Sequence, residues 1–165
     1  MKIVDFYNCK ITDKSIVAFG NFDGLHLGHD NLIKHLLDLS QKNNLKSVLM
    51  TFKQHTRSVL SENKKNFIIT PHKIKINLLK TYNPDYISII NFNEQFSSLE
   101  PSEFIDSMIE FYNPSIILIG YDNRFGYKGK GDYKFLTTYL NNKNIEIIRF
   151  NKYTYNNLII KSTLI

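Results

Sequence analysis

Cysteine is nearly missing from this chain: Cys9 is the only one in 165 residues. That excludes an internal disulfide and a zinc site built on clustered thiolates. Long apolar runs are missing too. Runs such as SIILIG at 115–120 fall far short of the roughly 20 residues that a membrane-spanning helix needs. The opening MKIVDFYNCK holds no long apolar region of the signal-peptide kind. A cytoplasmic chain without a membrane partner is the expectation. Arginine is scarce: Arg57, Arg124 and Arg149 are three of 21 basic residues, and the rest are lysine. A net charge of +6 points to an anionic partner. Contacts that read bases favour the arginine fork, however, so nucleic acid is not expected as the main partner. A lysine-rich surface suits small polyanions such as nucleotides.

A hydrophobic content of 42% is that of an ordinary globular protein. The length fits one domain with a real core. Apolar runs at 15–22, 47–52, 86–92, 115–122 and 145–150 read as strands rich in Ile, Val, Phe and Tyr. Helical spacing lies between them. Leu32, Ile33, Leu36 and Leu37 recur on one face of 29–39. The stretch 70–82 opens with Thr70 as a cap and Pro71 as first helical residue. Segment 101–112 is stopped by Asn113-Pro114, and 132–144 forms the last helix. This alternation predicts an α/β fold, a mostly parallel sheet with helices on both faces. Ligands of such sheets bind at the carboxyl ends of the strands, where the winding direction switches.

NFDGLHLGH, 21–29, stands at one such end. A strand, a glycine-containing turn and a helix start form a phosphate cradle, because the first helical N–H groups lack internal partners. Gly24 and Gly28 let the backbone approach a ligand closely. His26 and His29, three apart, face one side and have N–H groups to offer phosphate oxygens. The local chemistry is that of phosphoryl or nucleotidyl transfer, with the histidines stabilising charge. Beyond Asp23 and Asp30 no third ligand stands nearby, so the chain is not expected to ligate a metal itself. His35 and His72 fall within helical patterns and are read as surface residues.

GNFDGLHLGH resembles the G-x-F-D-G-x-H-x-G-H signature of the nucleotidyltransferase superfamily. Four further blocks follow in order: TFKQHTRSVL at 51–60, LEPSEFI at 99–105, GYDNRFGYKGKGD at 120–132 and IKSTLI at 160–165. Together they resemble the FMN adenylyltransferase module of prokaryotic bifunctional riboflavin kinase/FAD synthetases. The resemblance implies a Rossmann-like nucleotidyltransferase domain over 1–165. It implies ATP and FMN as substrates, FAD as product and Mg²⁺ entering with ATP. His26 and His29 are then catalytic. Gly20, Asn21, Phe22, Asp23 and Gly24 shape the cradle, Thr51 is a further binding residue, and His55 belongs to the FMN phosphate side. Asp122, Asn123 and Arg124 approach the nucleotide, and Ser162 and Thr163 the triphosphate. The segment 126–132 is read as a mobile flap over anionic ligands.

The chain also departs from the pattern. Gln54 and Thr56 replace two prolines, Asn123 a phenylalanine and Lys161 a serine, and the chain ends at Ile165, one residue before an expected arginine. No riboflavin kinase domain follows, so that activity is expected on another chain or a missing domain. Two alternatives stay open: transfer to another small phosphorylated substrate, and a catalytically impaired module that only binds nucleotide or flavin.

Overall fold

The computed structural model describes residues 1–53 and 70–151, and the backbone of 154–155 and 158–159. His55, Ser162 and Thr163 lie outside the described residues. Strands are β1 (Lys2–Asp5), β2 (Ser15–Phe19), β3 (Lys46–Phe52), β4 (Tyr86–Ile90), β5 (Pro114–Gly120), β6 (Glu146–Phe150), β7 (Thr154–Tyr155) and β8 (Leu158–Ile159). The described helices are α1 (Leu27–Asn43), α2 (His72–Thr81), α3 (Glu94–Ser97), α4 (Pro101–Tyr112) and α5 (Tyr133–Tyr139). β1 to β6 form one parallel sheet in the order β1-β4-β3-β2-β5-β6, and β7 pairs antiparallel with β8.

β2 lies near the middle, and all five of its residues are buried. Its side chains alternate between two cores. Val17 and Phe19 pack with Phe104, Ile105 and Met108 of α4 and Leu136 of α5. Ile16 and Ala18 pack with Ile33 and Leu36 of α1 and Leu79 of α2 on the other face. A strand covered on both sides reads as an unbroken apolar run, which is why the α/β reading and the helices on both faces hold. α4 starts on a capping box, with the Glu100 N–H donating to the Glu103 carboxylate at 2.8 Å. α1 and α4 end at Asn44 and Asn113 in the left-handed region, as helix ends commonly do.

Some boundaries differ from the sequence expectation. β2 stops at Phe19, three residues early, because the chain turns away from the sheet after Gly20. β4 stops at Ile90 and β5 at Gly120. α2 starts at His72, with Pro71 just ahead of it, and no side chain caps it; the Thr70 hydroxyl is engaged elsewhere. β1 escaped notice because four residues at a sheet edge, mostly exposed, carry no burial pattern.

Tyr112 ties α4 to the sheet. It is fully buried, its hydroxyl meets Ser88 Oγ at 2.7 Å, and it donates to the Phe6 carbonyl at 2.8 Å. Its own carbonyl accepts from the Ser15 hydroxyl. Tyr112→Phe strands both partners of the hydroxyl. The expected loss is about 1–2 kcal/mol of stability, read from urea unfolding at unchanged slope.

Candidate functional site

β3, β4 and β1 follow β2 on one side of the sheet, and β5 and β6 lie on the other. The crevice between the ends of β2 and β5 is therefore the point where the winding reverses. Asn123 closes its floor: its Nδ2 donates to the Phe19 carbonyl at 2.8 Å, fastening the end of β5 to the end of β2.

The chain leaves β2 through a tight turn. The Gly20 N–H donates to the Met50 carbonyl at 3.0 Å. Phe22 then takes a left-handed backbone, φ 48°, and Gly24 and Leu25 also have positive φ. Such a conformation suits Gly24 and strains the other two. Compensation comes from several anchors. The Phe22 ring is buried. The buried Asp23 carboxylate accepts from the Thr70 N–H at 2.8 Å, and the Gly24 N–H donates to Thr70 Oγ1 at 3.1 Å. The Asn21 carbonyl accepts from Thr51 Oγ1 at 3.2 Å and from Lys75 Nζ at 3.0 Å.

The turn delivers His26 to the start of α1, where its carbonyl accepts from the N–H groups of His29 and Asp30. The two imidazoles stack, 3.8 Å between centroids and 18° from parallel, and Phe22 meets His29 edge-on. Burial, then the neighbouring His26 ring, pushes His29 down to about 3; Asp23 works against this and Lys75 adds to it. Burial also lowers His26, opposed by Asp122. Both rings are thus neutral near pH 7. The Nδ1 atoms of both are buried and have no hydrogen-bond partner among the described residues. A neutral imidazole has one N–H to donate and one nitrogen to accept. Two such rings at a helix start have the chemistry to offer hydrogen bonds to an anion.

Of the residues singled out by sequence, the structure gathers Gly20, Asn21, Phe22, Asp23, Gly24, His26, His29, Thr51, Asp122 and Asn123 around this turn. Their tasks divide. Asp23, Thr51 and Asn123 hold backbone, while His26 and His29 keep unpartnered nitrogens. Arg124 is not brought in: its guanidinium pairs with Asp132 at 2.9 Å and is largely exposed. The segment 126–132, expected as a flap, is held by several contacts in this structure. Phe125 and Gly131 bridge each other, the Tyr127 N–H donates to the Leu99 carbonyl at 2.6 Å, and Lys130 pairs with Glu100 at 3.2 Å. Gly126 lies so close to Pro101 that a Cβ there would come within 2.7 Å of it. A Cβ at Gly131 would likewise press on the Phe125 ring, and Gly129 takes a positive φ of 65°.

Lys75 was overlooked in sequence. It is only 5% exposed, and Nζ also donates to the Phe52 carbonyl at 2.9 Å. Burial lowers it to about 8, against the pull of Asp23. A signal was present, since Lys75 lies four residues before the buried Leu79 on the apolar face of α2. His72, read as a surface residue, is half-buried with an unpartnered Nδ1 among the described residues. Near the carboxyl edge of β1 and β4 a cavity of about 500 Å³ is walled by Phe6, Tyr7, Ile90 and Phe96, with Lys53 and Asn91 at its polar side. Among the described residues no three His, Cys, Asp or Glu stand together as a metal-ligand set.

A family model described as FAD synthetase matches residues 9–164. A bifunctional riboflavin kinase/FMN adenylyltransferase of Buchnera aphidicola subsp. Acyrthosiphon pisum is 34% identical over 99% of this chain and 53% of its own length. The protein of that name from Bacillus subtilis is 36% identical over 79% of this chain and 42% of its own. The chain spans about half the length of the curated relatives it matches. Among solved structures, a protein described as a macrolide-efflux protein from Streptococcus pneumoniae superposes with a TM-score of 0.80 at 26% identity, over 97% of this chain and 52% of that one. A lipopolysaccharide core biosynthesis protein from Thermoplasma volcanium shares the fold at a TM-score of 0.54 and 24% identity, over 86% of this chain and 99% of its own. Among the described residues no helix is long and apolar enough to cross a membrane.

Because the folded-state value of His29 lies below the ordinary 6.5, the unfolded chain binds a proton that the folded chain refuses. Stability is therefore complete above about pH 6.5 and falls by about 1.4 kcal/mol per unit as pH drops toward 3. Imidazole NMR checks this: the His29 resonance is expected not to titrate between pH 8 and 4.5, and added pyrophosphate to raise its midpoint. A midpoint near 6.5 in the free protein contradicts the buried pair.

Proposed function

The chain belongs to the FAD synthetase family, and we propose that it transfers the adenylyl group of ATP to FMN, giving FAD and pyrophosphate. A phosphate oxygen of FMN attacks the α-phosphorus in line. The new O–P bond forms as the bond from the α-phosphorus to the bridging oxygen breaks, and pyrophosphate leaves with that electron pair. The nucleophile is already an anion, so no strong general base is needed, and catalysis is positioning and charge stabilisation.

The observation that carries this reading is the stacked, neutral pair His26 and His29 at the N-terminus of α1, beside the end of β2. In this reading the rings donate hydrogen bonds to the α- and β-phosphates. Charge that develops in the transition state raises their proton affinity and strengthens those bonds. The left-handed turn at Phe22 and the N-terminus of α1 supply the rest of the cradle.

The cavity beside β1 and β4 supports a flavin on the acceptor side, with aromatic walls for a planar ring and a size within the range of small-molecule sites. It joins the phosphate turn through a short chain of contacts: Lys53 lines it, and Lys75 bonds both the neighbouring Phe52 carbonyl and the Asn21 carbonyl. Mg²⁺ in this scheme enters with ATP and offsets phosphate charge, held by phosphate and water oxygens. FMN comes from a riboflavin kinase activity such as the relatives' names state, in a further part of this protein or on another chain. A cytoplasmic setting goes with these substrates.

Incubation with ATP, Mg²⁺ and either FMN or riboflavin, with FAD resolved by chromatography, is expected to give FAD from FMN only. No product from FMN, with product from another phosphorylated acceptor, overturns the choice of substrate. No turnover on any acceptor, with nucleotide still bound, reduces the chain to a binding module. His29→Ala is expected to lower kcat by about 10²–10³ while costing little stability. Turnover at the wild-type rate in that variant removes the pair from the mechanism.

A further inference from the structure

The scheme above uses Lys75 only as a link between cavity and turn, yet its position is unusual. An ammonium is costly to bury, and helix α2 packs on an apolar face where leucine or methionine would serve. Its two hydrogen bonds go to backbone carbonyls at the ends of neighbouring strands, Asn21 after β2 and Phe52 at the end of β3. Both lie at the carboxyl edge of the sheet, beside the phosphate turn.

The Asn21 carbonyl belongs to the peptide group that ends in the Phe22 N–H. In a trans peptide the C=O and N–H point in opposite directions. The carbonyl is drawn inward by Lys75 and Thr51, so the Phe22 N–H turns away from Lys75. Phe22 is the residue whose left-handed backbone opens the turn. Lys75 therefore helps to fix the direction of the Phe22 amide donor where the turn begins. It also places a positive charge near the neutral His29 imidazole.

We propose that Lys75 is a positioning residue for the nucleotide: it sets the Asn21–Phe22 peptide so that the Phe22 N–H meets a phosphate oxygen, and its buried charge holds the polyanion against the neutral histidines. This rests on the reading that a nucleotide phosphate occupies the turn. The ionisable groups that face Lys75 are Asp23 of the turn, His29 of α1 and His72 at the head of its own helix, with Lys53 beyond His72. Near pH 8 the lysine is at its own midpoint and the histidines are neutral. A bound polyanion favours the charged lysine, so binding takes up protons there and affinity weakens as pH rises through about 8.

The test is calorimetric binding of the magnesium complex of α,β-methylene-ATP, which cannot be cleaved at the reacting bond, between pH 7 and 9.5. The wild-type chain is expected to bind several-fold more weakly at pH 9.5 than at pH 7, with proton uptake near pH 8. Lys75→Met is expected to bind about tenfold or more weakly at pH 7, with a flat profile. Lys75→Arg keeps its charge and is expected to lose the weakening above pH 8. Wild-type affinity in Lys75→Met, or a flat profile in the wild type, overturns the proposal; the second arm decides even where the variants do not fold. No binding by the wild-type chain at any pH sinks the nucleotide reading as well, whereas binding that ignores Lys75 sinks this proposal alone.

Discussion

The chain must leave a buried parallel strand and start a helix within a few residues, and it does so with Phe22, Gly24 and Leu25 at positive φ. For the two residues that carry a side chain this conformation costs on the order of 1 kcal/mol or more each. It persists because the surroundings over-determine it. The Phe22 ring is locked in the core beside Leu32 and Ile33, Thr70 grips Asp23 and Gly24, and Thr51 and Lys75 share the Asn21 carbonyl. Loosening any of these moves the start of α1, and with it both histidines. The turn is the constraint from which the site's geometry follows.

The electrostatic character of the site follows from the same packing. The histidines are pressed together and half-buried, so they stay neutral near pH 7 and do not add cations to a chain already at +6. In the proposed reading, attraction of a polyanion falls to the lysine-rich surface at long range and to Lys75 and the helix N-terminus at short range. In that reading the rings act as hydrogen-bond donors that gain strength when a phosphate arrives. Free imidazolium ions in the same place would repel each other and hold the turn open.

Much of this was legible in the sequence. The unbroken apolar runs marked a sheet covered on both faces, and H-x-G-H after such a run marked the turn and helix start where the structure stacks the two rings. Residues whose task is to hold backbone were harder to read. Thr51, Asn123 and Asp23 were found through motifs, but their partners are carbonyls and N–H groups that only the fold brings near. Lys75 looked like one more lysine on a surface helix, although its spacing from Leu79 placed it on the buried face. The glycines of 126–132 suggested motion because glycine permits both freedom and close contact, and Pro101 and Phe125 decide for contact. Arg124 shows the converse: a motif arginine whose nearest carboxylate, Asp132, is eight residues on in the chain.

The central claim is that the end of β2 is built to hold a nucleotide phosphate between two neutral histidines. A crystal structure of the chain with α,β-methylene-ATP tests it most directly. The account predicts α- and β-phosphate oxygens within hydrogen-bond distance of both imidazoles and of the Phe22 N–H, with the turn unmoved. Phosphates seated instead in the cavity near Lys53, with the histidines untouched, would contradict it.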